Sequence, residues 1–398
     1  MKIVHDRDRF VAIGPPGQPA GCRGRVRETN RLEWRVTDPG TVADLLKKAL
    51  SEYALPLSPH TRCGPAGTHC GAAVLLSAAA CNLLAGRPPG PASPATGVPD
   101  LVVVEYEHAA AAVALPGEWS LGPWRRSWTR ERHAAAVELV RHAIGRGDVY
   151  QVNVVGHHSA PFHGDPLGAM LAVCSLPGAR YAGALAGDNW TVACASPESL
   201  VTITGDRVET RPIKGTRPAT ETGRTELLGS AKERAEHVMI VDLERNDLSR
   251  VARTGSVHVP ELFAIRRWCG LWQAESVVRG TLAGGVGITD LLAALCPGGS
   301  VTGAPKLAAI DQIAALEPVG RGPSMGVFGY VTPYRIDLGL TIRTVAFDGD
   351  TVHLWAGGGI TWDSDPYAEV AEAEAKARPL MTALAGPVRS PRKPVATR

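Results

Sequence analysis

Residues 326–377, GVFGYVTPYRIDLGLTIRTVAFDGDTVHLWAGGGITWDSDPYAEVAEAEAKA, are the stretch on which the fold turns. Three runs rich in β-branched and aromatic residues, 326–332, 340–347 and 351–356, follow one another with short breaks and predict consecutive strands. Asp365 then opens a helix as N-cap, with Pro366 at its first position and Glu369, Glu372 and Lys376 along it. Strands in succession closed by a helix, rather than a strict alternation, predict an α+β fold. Working outward, the runs 191–195, 199–204, Val149–Val155 and Leu101–Val104 add strands. Thr129 caps a helix carrying Ala134, Val137, Val140 and Ile144, stopped by Gly145 and Gly147. Ser230 with Glu233 three residues on is a capping box for a second helix through Leu243. A third is expected to start from the glycine-rich turn 298–303, with Pro305 in its first turn, burying Leu307, Ile310, Ile313 and Leu316.

The chain has 398 residues, with 42 Lys plus Arg against 39 Asp plus Glu, which leaves no clustered basic face for nucleic acid. Hydrophobic content of 44% and charged content of 20% describe a globular protein rather than a disordered one. Its most apolar stretch, Gly71–Gly86, is broken by Ser77 and Asn82 and is too short to span a bilayer, so no membrane association is expected. The N-terminus has no apolar segment of secretory type, and the eight cysteines form no Cys-x-x-Cys pair or zinc spacing. Reduced, half-buried thiols in a cytoplasmic protein are the expectation. By texture, residues 1–125 form a divergent strand- and loop-rich part and 126–386 the core. Residues 387–398 read as a disordered tail.

Four constellations carry potential chemistry. Glu233 and Glu236 share a helix face at i, i+3, and Glu369 and Glu372 repeat the spacing on another helix. Two such helices facing one pocket would offer an oxygen-only set suited to Mg²⁺. The ordinary alternative is a capping role for Glu233 and an i, i+4 pair between Glu372 and Lys376. The turn Gly298-Gly299-Ser300-Val301-Thr302-Gly303 would present backbone N–H groups to an anion. Lacking the Gly-Lys-Ser/Thr ending of a P-loop, it favours a carboxylate over a nucleoside triphosphate, and a plain tight turn is equally open. Gly357-Gly358-Gly359 permits close approach of a ligand, or simply makes a bulge or sharp turn. Lys214 lies between Pro212 and Gly215, where a cationic neighbourhood would lower its pKa, although most lysines are solvated. His157, His158 and His163 have no metal spacing and read as a solvated strand end.

Together these segments resemble the chorismate-utilising enzymes: anthranilate synthase and aminodeoxychorismate synthase large components, isochorismate synthase and salicylate synthase. The resemblance runs through Asp148–Asn153, Ser196–Ser199, Pro212–Pro218, Arg234–Leu243, Arg245–Leu248, Pro297–Lys306, Ile342–Thr344, Ala356–Ile360 and Asp363–Glu372. It implies a large mixed sandwich of antiparallel β-sheets flanked by helices. It also implies Mg²⁺ held by Glu236 and Glu372, with Glu233 and Glu369 through water, and chorismate as substrate. The substrate's pyruvyl carboxylate would lie against Arg343 and Gly357–Gly359 with Tyr330 nearby. Thr216, Ser300, Thr302, Gly303 and Lys376 would complete the substrate site. Gln151 stands where the hydroxylating members carry a lysine base, and an amide cannot deprotonate water. Lys214 resembles the nucleophile of the aminodeoxychorismate synthases, with Glu198 as general acid. Gln273 falls where the family has a histidine; it can hydrogen-bond a leaving group but cannot shuttle a proton. Pro379 is expected to interrupt the last helix. No Gly-x-Cys-x-Gly glutaminase element occurs, so ammonia is expected from a separate glutaminase subunit or from solution. The implied activity is amination of chorismate towards p-aminobenzoate. An anthranilate or 2-amino-2-deoxyisochorismate synthase, and an inactive scaffold, are the alternatives.

Overall fold

A strand covered on both faces is built mainly from apolar residues. The strand Gln151–Gly164 has Val152, Val154, Val155, Ala160 and Phe162 buried, with the polar Gln151, Asn153, His157 and His158 buried among them. It pairs antiparallel with Thr351–Ile360 over ten residues, Thr351 opposite Pro161 through to Ile360 opposite Val152. These two strands anchor one half of the computed structural model, which describes residues 2–6, 9–13, 26–53, 55–57, 68–108, 117–268 and 270–386.

The first sheet runs in the order Lys2–Asp6, Arg9–Ile13, Tyr181–Gly187, Trp190–Ser196, Thr344–Asp348, Thr351–Ile360, Gln151–Gly164, Gly303–Ala304. Trp119–Leu121 and Arg125–Arg126 pair beside Gln151–Gly164. The second sheet runs Ile213–Pro218, Leu271–Thr281, Arg207–Arg211, Ser199–Thr204, Arg335–Leu340, Val327–Thr332, His69–Leu76, Leu101–His108, Val26–Trp34, with His258–Trp268 joined to Leu271–Thr281. The pairings between described strands are antiparallel, for example Val327–Thr332 with both Arg335–Leu340 and His69–Leu76. Leu185, Val192 and Trp355 of the first sheet share one apolar cluster with Leu75, Ile203 and Val327 of the second, so the sheets pack face to face. The helices Pro166–Cys174 and Pro366–Leu384 cover the outer face of the first sheet. Arg130–Gly145 and Lys306–Leu316 cover Gln151–Gly164 beside them. The fold is therefore α+β, a sandwich of antiparallel sheets flanked by helices. The first 125 residues supply strands to both sheets.

The expected caps form. Thr129, Ser230 and Asp365 accept from the N–H groups of Arg132, Glu233 and Ala368. The capping box at Ser230 closes on one side only, because the Ser230 N–H goes to the Leu227 carbonyl and the Glu233 carboxylate to Arg217.

Several expectations are corrected. His157 and His158 are buried inside a strand that continues nine residues past Val155, because the second sheet and the outer helices cover both of its faces. The triglycine lies within the strand Thr351–Ile360, opposite Val155, Val154 and Asn153, and is not a turn after it. The run 340–347 breaks at 341–343, where Arg343 takes a φ of 53°. The glycine-rich turn leads to a four-residue helix, Gly299–Thr302, and the longer helix starts only at Lys306 with Leu307 exposed. Pro379 sits inside the helix Pro366–Leu384 without ending it. An interior proline costs about 3 kcal/mol, and full burial of Leu380 and Leu384 on the sheet offsets it at about 1.5–3 kcal/mol each.

Gly71–Gly86 divides between the strand His69–Leu76 and the helix Ala78–Leu84. No described helix is long and apolar enough to cross a membrane. Cys81, Cys174, Cys194 and Cys296 are free and buried, Cys70 is free and half-buried, and Cys22, Cys63 and Cys269 lie outside the described residues. The expected disordered tail, 387–398, also lies outside them.

Candidate active site

One cleft of about 140 Å³ gathers most of the predicted site. Its acidic end is built by two helices. Ala231–Ser249 presents Glu233 and Glu236, Pro366–Leu384 presents Glu369 and Glu372, and Lys232 and Lys376 stand beside them. Each carboxylate already has a partner. Glu233 pairs with Arg217 at 2.9 Å and Glu372 with Lys376 at 2.6 Å. Glu236 accepts from Thr361 at 3.1 Å and Glu369 from Ser364 at 2.6 Å. Lys376 holds Glu372 down to about 2. Burial pushes Glu236 and Glu369 up, and the neighbouring Glu233 and Glu372 push the same way. Among the described residues no three acidic, histidine or cysteine side chains close up as a ready metal-binding group.

The middle of the cleft is the strand Ile213–Pro218. Lys214 and Thr216 line it, and Thr216 is in register with Gln273 on Leu271–Thr281. Burial lowers the pKa of Lys214, against the pull of Glu236, Glu198 and Glu372. Gly359 makes room for the lysine: a Cβ there would come within 2.4 Å of Lys214 Nζ and 2.9 Å of the Gln151 amide. Glu198 is buried at the start of Ser199–Thr204, where it accepts the Ile213 N–H at 3.3 Å. Burial raises it to about 7, and Ser300 and Lys214 pull the other way. A carboxyl poised near neutrality and an amine of lowered pKa in one cleft have the chemistry that acid–base and nucleophilic catalysis calls for.

At the far end Arg343, Gly357 and Gly359 line the wall with Asn153, Val301, Met325 and Trp355. Arg343 donates to the Lys376 carbonyl and Lys376 to the Gly357 carbonyl. The buried pair Arg321–Glu317 fixes this wall. Arg321 donates to the carbonyls of Val301 and Asn153 at 2.7 Å, and the Val155 N–H donates to Glu317 at 2.9 Å. Below the Ser300 turn, buried Glu244 accepts the Gly299 N–H at 3.3 Å, and buried Lys306 pairs with Asp247 at 2.5 Å.

Thirteen of the expected residues therefore meet in one cleft: Lys214, Glu198, Gln273, Thr216, Ser300, Arg343, Gly357, Gly359, Lys376 and the four glutamates. Five do not line it. Gln151 sits immediately behind Gly359, and neither end of its buried amide has a hydrogen-bond partner among the described residues. Gly358 gives clearance to Glu369, Lys376 and Glu372 from behind the wall. Thr302 is spent on the Gly298 carbonyl, and Gly303 pairs with Val152. Tyr330 is displaced altogether, because its strand belongs to the second sheet and its hydroxyl donates to Asp337. Asn153, Lys232 and Trp355 were missed. The two-residue period of a strand from Gln151 would have found Asn153, whose amide nitrogen is also buried without a described partner.

The model of the chorismate binding enzymes matches residues 98–382. This chain belongs to that family. It is 39% identical over 278 residues to "Anthranilate synthase component 1 1" of Haloarcula marismortui, covering 68% of this chain and 56% of that protein. It is 37% identical over 272 residues to "Aminodeoxychorismate synthase component 1" of Bacillus subtilis, covering 66% of this chain and 57% of that one. The chain thus spans somewhat over half the length of these relatives. Anthranilate synthase component I from Streptococcus pneumoniae superposes with a TM-score of 0.74 at 25% identity, covering 93% of this chain and 94% of that one.

Proposed function

We propose that this protein aminates chorismate at C4, giving 4-amino-4-deoxychorismate through a covalent lysine intermediate, with ammonia supplied by a separate glutaminase subunit or from solution. The observation that carries it is Lys214, a buried lysine of lowered pKa seated against Gly359 in the cleft that also holds Glu198. The acidic end suits Mg²⁺. All four donors are carboxylates, and Glu236 and Glu369 are pushed up by burial and by the neighbouring Glu233 and Glu372, a deficit of positive charge that a cation removes. Glu236 and Glu372 would hold the ion directly, with Glu233 and Glu369 through water. Bound there, Mg²⁺ would neutralise the ring carboxylate of chorismate.

The chain's own residues carry the steps. Arg343 and the Gly357–Gly359 backbone hold the pyruvyl carboxylate. The neutral amine of Lys214 attacks C2, both ring double bonds shift towards C4, and the C4 hydroxyl leaves as water with the proton of Glu198. Ammonia then attacks C4, both double bonds return, the amine of Lys214 is expelled neutral, and the new ammonium gives a proton back to Glu198. Gln273 donates a hydrogen bond and moves no proton, so proton handling falls to Glu198. Dividing one difficult substitution into two is the gain from covalent catalysis.

The second reading, an anthranilate or 2-amino-2-deoxyisochorismate synthase in which Lys214 is a bystander, is favoured by the anthranilate synthase relatives. Lys214→Ala separates the two. Ammonium-dependent turnover of chorismate is expected to fall at least about 100-fold, with the wild-type chain alone giving a covalent adduct by mass spectrometry when ammonia is withheld. Activity largely retained in the variant supports the bystander.

A further inference from the structure

Glu275, next but one to Gln273 on the strand Leu271–Thr281, is a carboxylate with 1% exposure that the chemistry above does not use. Three arginines from three separate parts of the chain converge on it. Arg180, just ahead of Tyr181–Gly187 in the opposite sheet, lies at 2.8 Å, Arg211 at 3.2 Å and Arg266 at 3.7 Å. The guanidiniums are 30–45% exposed in their side chains while the carboxylate is 2% exposed, so solvent screens the cations far more than the anion. Glu275 is in register with Ile213, whose N–H donates to Glu198. The buried anion thus stands one residue behind the carboxyl that handles protons.

We propose that Glu275 is a positioning residue of the active site, holding negative charge behind Ile213 so that Glu198 stays in its protonated, donating form. The proposal rests on the assignment of Glu198 as the general acid. Its physical basis is that a like charge in a poorly screened interior disfavours ionisation of its neighbour. The groups facing Glu198 are Lys214 from the neighbouring strand, Glu275, Ser300 from the glycine-rich turn and Glu244 from the helix beneath it. Burial is the main force that keeps Glu198 protonated; Ser300, the Ile213 N–H and Lys214 favour its charged form, and Glu275 adds to burial against them. This matters because Gln273 offers no titrating side chain: the proton donor has to be held in reserve by its surroundings.

The test uses the full chain carrying ¹³C-carboxyl glutamate. The Glu198 band, identified by its loss in Glu198→Gln, is titrated by infrared difference spectroscopy. In parallel, kcat/KM for chorismate is followed against pH at constant free ammonia. Glu275→Gln, which keeps shape and leaves the arginines uncompensated, should lower the Glu198 midpoint by about half to one pH unit and move the alkaline limb of the rate profile down with it. Arg180→Gln, at a partly exposed position, should move both upward, so the proposal is also tested if one variant folds poorly. Midpoints unchanged in both variants overturn the proposal and leave Glu275 a structural tie between sheets. A midpoint that moves while the rate limb stays upholds the action of Glu275 on Glu198 and removes Glu198 from the role of general acid.

Discussion

At Gly359 a single missing methyl group decides where the amine of Lys214 can sit. The residue lies in ordinary paired strand, opposite Asn153, so the backbone itself would accept alanine. The obstacle is lateral, since a Cβ would overlap the space of Lys214 Nζ and the Gln151 amide. Gly359→Ala is therefore expected to leave the thermal melt nearly unchanged while cutting turnover of chorismate with ammonium by about 100-fold, the usual cost of a misplacement near 1 Å. Full activity in that variant would separate Lys214 from the chemistry. The need for a small residue was legible in the triglycine, but its reason was not. Sequence suggested either close approach of a ligand or a sharp turn, whereas the structure has a strand admitting a neighbouring side chain.

The strand Gln151–Gly164 shows what an element conceals. Its first half was legible because valines alternate with the site residues Gln151 and Asn153. Its second half, with His157, His158 and Pro161, was not, because polar residues on a doubly covered strand break the apolar signal that marks burial. The histidines are held neutral there. Burial lowers His157 to about 3 and His158 to about 4, with Arg126 adding to the latter and Glu374 opposing it. His157 bonds to Ser127 and to His353 on the paired strand, the latter at 3.1 Å. A histidine whose folded pKa lies below its unfolded value of about 6.5 contributes stability that is lost as pH falls from about 6.5 towards the folded pKa, because the unfolded chain takes up the proton first. Between pH 6.5 and 5 the urea unfolding free energy should fall in the wild type by about 1–2 kcal/mol more than in His157→Asn. Parallel slopes would show that His157 is not buried neutral.

Over the whole molecule, two sheets meet face to face and the cleft opens where helices from distant parts of the chain converge. The motif segments were legible because each carries its residues locally: Lys214 between Pro212 and Gly215, and the two pairs of glutamates at helical spacing. What joins them was not. Arg321, Glu317 and Trp355 hold the far wall through contacts between segments as distant as 168 residues, and no local pattern announces such contacts. Tyr330 was misplaced for the same reason, since assignment of its strand to the second sheet is a property of topology. The central claim is that Lys214 and Glu198 direct nitrogen to C4 with the pyruvyl group retained. The measurement that tests it most directly is the identity of the product from the pure protein, chorismate, Mg²⁺ and ammonium, resolved by mass and by NMR position of the amine. The predicted result is 4-amino-4-deoxychorismate, converted to p-aminobenzoate when an aminodeoxychorismate lyase is added. Anthranilate, or an amine at C2, would contradict it.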